Sequence, residues 1–116
     1  SRLPRVYEAF PALEARFGVK ISAVSHAGDG NLHPVISMDI KPDDDPAHPP
    51  ASLQGAATAL VRVALDLGGT VTGEHGVGTI KQEWAALELS ARIRRAQHAI
   101  KAALDPDGLL NPGKAI

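Results

Sequence analysis

Ser25-His26-Ala27-Gly28-Asp29-Gly30-Asn31-Leu32-His33 decides the reading of this chain, because it is a hairpin tip with a histidine on each arm. Asp29-Gly30 suits a two-residue type I′ turn, which needs φ > 0 at both central positions. Centring the turn there sets His26 opposite His33, Val24 opposite Val35, Ser22 opposite Ser37 and Lys20 opposite Asp39 on one face. The other face sets Ala23 against Ile36 and Ile21 against Met38, an apolar surface suited to packing under helices. A slip of one residue would turn every side chain to the wrong face, so the pattern ties down the register. Directly opposed side chains have Cβ atoms about 5 Å apart, so both imidazoles reach one small object. Two histidines beside a glycine-rich turn are two-thirds of a metal site. The same pair also reads as two partly exposed histidines on a hairpin, and the pair by itself does not choose.

The rest of the composition narrows the field. The chain has 116 residues, 44% hydrophobic and 22% charged, which fits one modest soluble globular domain or a piece of one. A net charge of −1 and only two Phe, one Tyr and one Trp argue against nucleic acid as a partner. The absence of cysteine removes disulfides, thiolate ligands and a thiol nucleophile. No signal peptide and no membrane-spanning apolar run is visible, so a soluble, cytoplasmic protein is expected.

Outward from the hairpin, Val6, Ala9, Phe10, Leu13 and Phe17 recur at helical spacing and predict one helix over 4–17, stopped by Gly18. The hairpin runs over about residues 20–40. A proline-rich acidic stretch over 41–50 follows, in which Asp43-Asp44-Asp45 and His48 read as solvated. A second helix is expected from Ala51 or Ser52 to Leu67, with Leu53, Ala57, Leu60, Ala64 and Leu67 on its inner stripe and Gly68-Gly69 ending it. Thr70-Val71-Thr72 reads as a short strand leading into Gly73-Glu74-His75-Gly76-Val77-Gly78. Helices are predicted over 82–89 and, capped by Ser90, to Leu104, the second with Ile93, Ala96, Gln97, Ile100 and Leu104 inside and His98 on its polar side. Trp84 reads as a buried anchor. Asp105-Pro106-Asp107-Gly108 suits a type I turn.

This order predicts an α+β fold: a partial ferredoxin-like antiparallel sheet with helices on one face, followed by C-terminal helices. The sheet segment is expected over 1–78 and the helical segment over 79–116. The first strand of a complete βαββαβ unit is missing. The expectation is therefore a chain cut from something longer, with an exposed sheet edge prone to pair with a second copy.

Gly73-Glu74-His75-Gly76-Val77-Gly78 lacks the spacing of a dinucleotide fingerprint, and by itself it is also a tight turn with incidental polar residues. Together with His26-Ala27-Gly28-Asp29-Gly30-Asn31-Leu32-His33-Pro34 and with Leu104-Asp105-Pro106-Asp107-Gly108-Leu109-Leu110-Asn111-Pro112-Gly113-Lys114, it resembles the C-terminal region of FAD-linked oxidases. That family includes the flavin subunit of glycolate oxidase, D-lactate dehydrogenases and D-2-hydroxyglutarate dehydrogenase. The three motifs stand in the family's order and cover nearly the whole chain.

The resemblance implies a divalent cation (Zn, Fe or Mn) held by His26, His33 and Glu74, with His75 as the catalytic base. It implies that Asn111 and Lys114 lie near FAD, and that the family's FAD-binding domain belongs upstream and is absent from this sequence. The implied reaction is oxidation of a small 2-hydroxy acid to the 2-oxo acid with hydride transfer to FAD. Val35 stands where the D-2-hydroxyglutarate enzymes carry a substrate-contacting asparagine, which favours the glycolate and D-lactate branch. The alternative is a stand-alone, non-catalytic metal-binding or interaction module.

Overall fold

The computed structural model describes residues 1–39, 41, 45 and 49–115. The expectations for Asp43, Asp44 and His48 lie outside the described residues. Two compact units result, Ser1–Gly69 and Thr70–Ile116, so the Gly-Glu-His loop groups with the C-terminal helices.

The first unit contains α1 (Leu3–Glu8), α2 (Phe10–Phe17), β1 (Lys20–His26), β2 (Asn31–Ser37) and α3 (Ala51–Asp66). The single helix expected over 4–17 is two. Pro11 has no N–H to donate back to Tyr7, and the chain tightens at Ala9, whose N–H reaches Val6 C=O at 3.1 Å. Gly18 ends α2 as expected, in the left-handed region at φ 66° with its N–H on Glu14 C=O at 2.9 Å.

The hairpin keeps its faces but not its expected register. The observed pairs are Lys20–Ser37, Ile21–Ile36, Ser22–Val35, Ala23–Pro34, Val24–His33, Ser25–Leu32 and His26–Asn31. Each β2 residue has moved by two, and an even shift leaves every side chain on its face. The cause is the turn. Among the described non-glycine residues only Asn111 and Ala115 have positive φ, so Asp29 does not adopt the type I′ conformation. Instead residues 27–30 form a four-residue loop closed by Gly30 N–H on His26 C=O at 2.9 Å, with Gly30 at φ 83°. The Asp29 carboxylate accepts from Asn31 N–H at 3.0 Å, which holds the far arm.

Helices cover one face of the hairpin, as expected. Val6, Phe10, Leu13, Val19, Ile21, Ala56 and Leu60 form the core, and Ala23, Leu32, Ile36 and Met38 pack against it. The inner stripe of α3 runs through Leu53, Ala56, Leu60, Val63 and Leu67, rotated by one position from the expected Ala57 and Ala64. Gly55 explains part of that rotation. A Cβ there would lie 2.8 Å from a Phe17 ring carbon, so the missing side chain lets α2 and α3 approach closely. Two polar ties finish the unit: Glu14 Oε1 accepts from Ile21 N–H at 2.8 Å, and the Arg2 guanidinium donates to Leu67 C=O at the end of α3.

The second unit holds α4 (Gln82–Glu88) and α5 (Ala91–Leu104). Thr70-Val71-Thr72 is not a strand; the sheet among the described residues is two-stranded. Val71 N–H and the Thr70 hydroxyl donate instead to the Glu88 carboxylate. Ser90 caps α5 through Ile93 N–H at 3.3 Å, as the sequence predicts. The apolar part of the stripe expected inside is outside: Ile93 is 48%, Ile100 61% and Leu104 77% exposed, Gln97 is half-buried, and α5 has no fully buried residue. Trp84 is half-buried rather than buried, and His98 is exposed. No helix among the described residues is long and apolar enough to cross a membrane. The fold is α+β.

Candidate metal centre

The first half of the candidate site lies on the hairpin face turned away from the helices. His26 pairs with Asn31 and His33 with Val24, so the histidines are diagonal neighbours rather than directly opposed. Diagonal residues are about 7–8 Å apart at the backbone, a gap that long or aromatic side chains span. The imidazoles do so, with ring centroids 5.1 Å apart and planes at 87°. The edge-to-face arrangement brings two nitrogen-bearing rings to one place, with His26 exposed and His33 half-buried. This donor set suits a borderline cation, and two ligands leave room for a third and for open positions.

The second half lies in the Thr70–Ile116 unit. Adjacent residues of a regular strand point to opposite faces. Glu74 and His75 are not in a strand, and Gly76 and Gly78 nearby hold φ of 72° and 57°. The two side chains accordingly converge, with His75 Nε2 at 3.4 Å from Glu74 Oε1 and side-chain exposures of 69% and 48%. A carboxylate and an imidazole on one exposed loop offer a ligand and a proton acceptor side by side.

The C-terminal tail is attached to this loop. Ala115 N–H donates to Gly78 C=O at 2.7 Å, and Gln82 Nε2 donates to Gly113 C=O at 3.0 Å. Asn111-Pro112-Gly113-Lys114 is itself a turn, closed by Lys114 N–H on Asn111 C=O at 3.2 Å with Gly113 at φ 69°. Ahead of it, Gly108 N–H reaches Asp105 C=O at 3.1 Å, closing the turn expected over 105–108. The buried Asp105 carboxylate accepts from Leu109 N–H at 2.9 Å, Leu110 N–H at 3.0 Å and Lys101 Nζ. Sequence reasoning missed Gln82 and Glu88 as ties, because their bonds span 31 and 17–18 residues that no local pattern relates, and it missed Asp105, whose signal was the local spacing of Lys101 four residues before it.

The Lys101 hydrogen bond, followed by that from Leu110 N–H, holds the Asp105 carboxyl below its ordinary value of 3.8, against the opposing effect of burial. A lowered native value gives stability that is fully present above the ordinary value and is lost as pH falls through the native one. The Leu109 and Leu110 amide resonances are therefore expected to move together as pH falls below 3.8. In Asp105→Asn that titration disappears; its persistence would refute the assignment.

The model of FAD linked oxidases, C-terminal domain, matches residues 1–115. The chain belongs to that family. The family member described here is 38% identical to the glycolate oxidase subunit GlcD of Bacillus subtilis over 98% of this chain and 23% of that protein. It is 36% identical to the Escherichia coli K12 subunit of the same name over 98% of this chain and 22% of that protein. A mitochondrial D-lactate dehydrogenase [cytochrome] of Arabidopsis thaliana is 39% identical over 82% of this chain and 16% of its own length. This FAD-linked oxidase domain thus spans less than a quarter of the curated relatives it matches.

Proposed function

We propose that this chain is the C-terminal part of an FAD-dependent 2-hydroxy-acid dehydrogenase of the glycolate or D-lactate type. His26, His33 and Glu74 hold a divalent cation, Zn²⁺, Fe²⁺ or Mn²⁺, and His75 is the base. The observation that carries the reading is the imidazole pair, 5.1 Å between ring centroids, in a chain 36–38% identical to glycolate oxidase subunits. A cation there would supply Lewis acidity to the substrate hydroxyl, and FAD, held mainly by an upstream domain, would supply the acceptor for the Cα hydrogen as hydride. His75 takes the hydroxyl proton. Asn111 and Lys114 present their turn toward the flavin.

The exposed Ile100 and Leu104 stripe of α5 supports a partner domain, since a periodic apolar face with no cover is a docking surface in a larger molecule. In the isolated chain, the hairpin edge pairs with a second copy. The proposed location is the cytoplasm, which cell fractionation tests.

Calorimetric titration of the full-length protein with Zn²⁺ and Mn²⁺ tests the metal assignment. Saturable one-to-one binding is expected, weakened by at least about 100-fold in the His33→Ala, Glu74→Ala double variant. Equal binding by the double variant, or none by the folded parent, would remove it. Oxidation of glycolate and D-lactate with a dye acceptor tests the reaction.

A further inference from the structure

We infer that Glu88 is a positioning residue for the Gly-Glu-His loop, an assignment that rests on the function proposed above. Glu88 is the last residue of α4, whose final turn carries no basic residue. A carboxylate is electrostatically misplaced there, because the unpaired carbonyls at a helix C-terminus already carry negative charge. What offsets the misplacement is a fork. Glu88 Oε1 accepts from the Thr70 hydroxyl at 2.7 Å and Oε2 from Val71 N–H at 2.8 Å, across 18 and 17 residues of chain.

The fork stands at the head of the segment that bears Glu74 and His75. The other end is tied too, by Ala115 N–H on Gly78 C=O at 2.7 Å and Lys81 N–H on Val77 C=O at 3.2 Å. Between these ties the segment has no helix or strand, and two glycines occupy the left-handed region. Side chains as exposed as those of Glu74 and His75 receive little fixing from a packed core. Both ends therefore help to place their backbone, and Glu88 holds the N-terminal one, where Val71 stands three residues before Glu74 and four before His75. A base or ligand displaced by about 1 Å loses on the order of 100-fold in rate, which is the scale at which such a tie matters.

Two substitutions in the full-length protein separate the fork from a general role in folding. Glu88→Ala removes both bonds. Glu88→Gln keeps an oxygen for Val71 N–H and an amide that can donate to the Thr70 oxygen. Glu88→Ala is expected to lower kcat on the 2-hydroxy acid by about 10- to 100-fold, with KM changed less than about threefold and flavin content unchanged. Glu88→Gln should stay within about threefold of the parent in kcat. Hydrogen exchange supplies a readout without turnover: the Val71 amide loses protection in Glu88→Ala and keeps it in Glu88→Gln.

Three results would overturn the assignment. One is a Glu88→Ala protein with parental kcat and parental Val71 exchange. Another is loss of kcat only together with flavin and thermal stability. The third is failure of Glu88→Gln as severe as that of Glu88→Ala, which would assign the effect to charge. A parent protein that oxidises no 2-hydroxy acid would instead refute the proposed function, and the exchange of Val71 would still decide the fork.

Discussion

Replacing His75 with glutamine in the full-length protein is expected to lower kcat for the 2-hydroxy acid by about 10²–10⁴-fold, the usual contribution of a positioned general base. Glutamine keeps the approximate size and a hydrogen-bonding end but does not accept a proton from an alcohol. The loss should therefore fall on kcat and kcat/KM alike, with KM nearly unchanged. His75 lies beside Glu74, 3.4 Å from its carboxylate, and yet the two have different proposed roles. Metal titration separates them. His75→Gln should bind Zn²⁺ or Mn²⁺ within about threefold of the parent, whereas His33→Ala should not. A variant with parental kcat would remove His75 as the base; one that loses the cation with His75 would make it a ligand instead.

The second large effect concerns stability. Phe10→Ala in the 116-residue chain should cost about 3–5 kcal/mol, because a buried ring leaves both lost transfer energy and a cavity. Phe10 is 7% exposed in the core beneath the hairpin, and its ring lies 5.1 Å from that of Tyr7. Domains of this kind have about 5–15 kcal/mol in all, so the loss is a large fraction of the total. With a urea slope of about 1–3 kcal/mol/M, the unfolding midpoint should fall by roughly 2 M. Ile100→Ala is the contrast: at 61% exposure its cost should stay within about 0.5 kcal/mol. Equal losses would mean that the core lies elsewhere or that α5 is covered in solution.

Ile100 also illustrates what periodicity conveys. The spacing of Ile93, Ile100 and Leu104 marks the face of α5 that would be buried, and the sequence says nothing about whether anything covers it. In α3 the same kind of pattern was nearly right. Leu53, Leu60 and Leu67 face the core as expected, while Ala56 and Val63 replace Ala57 and Ala64. Alanines fit either side of a stripe, and the close approach of Phe17 over Gly55 favours the observed side. The break at Ala9 was legible in Pro11, whose effect on the preceding turn is a covalent fact.

The candidate site divides in the same way. The alternation of apolar and polar residues along β1 and β2 placed His26 and His33 on the outer face whichever register was chosen, because a shift by two preserves every face. The choice between a two-residue and a four-residue turn was not in that alternation. It depended on Asp29, whose carboxylate holds Asn31 N–H while its own φ stays negative. Likewise, nothing near Thr70 or Val71 in sequence announces that Glu88 takes their donors and that no third strand forms there.

The sequence by itself determined the α+β class, the helix stop at Gly18, the cap at Ser90, the faces of the hairpin and the motifs that mark the family. All of these follow from covalent geometry, local hydrogen bonding or a period of two or 3.6 residues. The tertiary structure alone decided the diagonal meeting of the two imidazoles, the tie of Thr70 and Val71 to Glu88, the tie of the tail to Gly78 and the exposure of α5. Each of those depends on bonds or packing between residues distant in the chain, which no local pattern encodes.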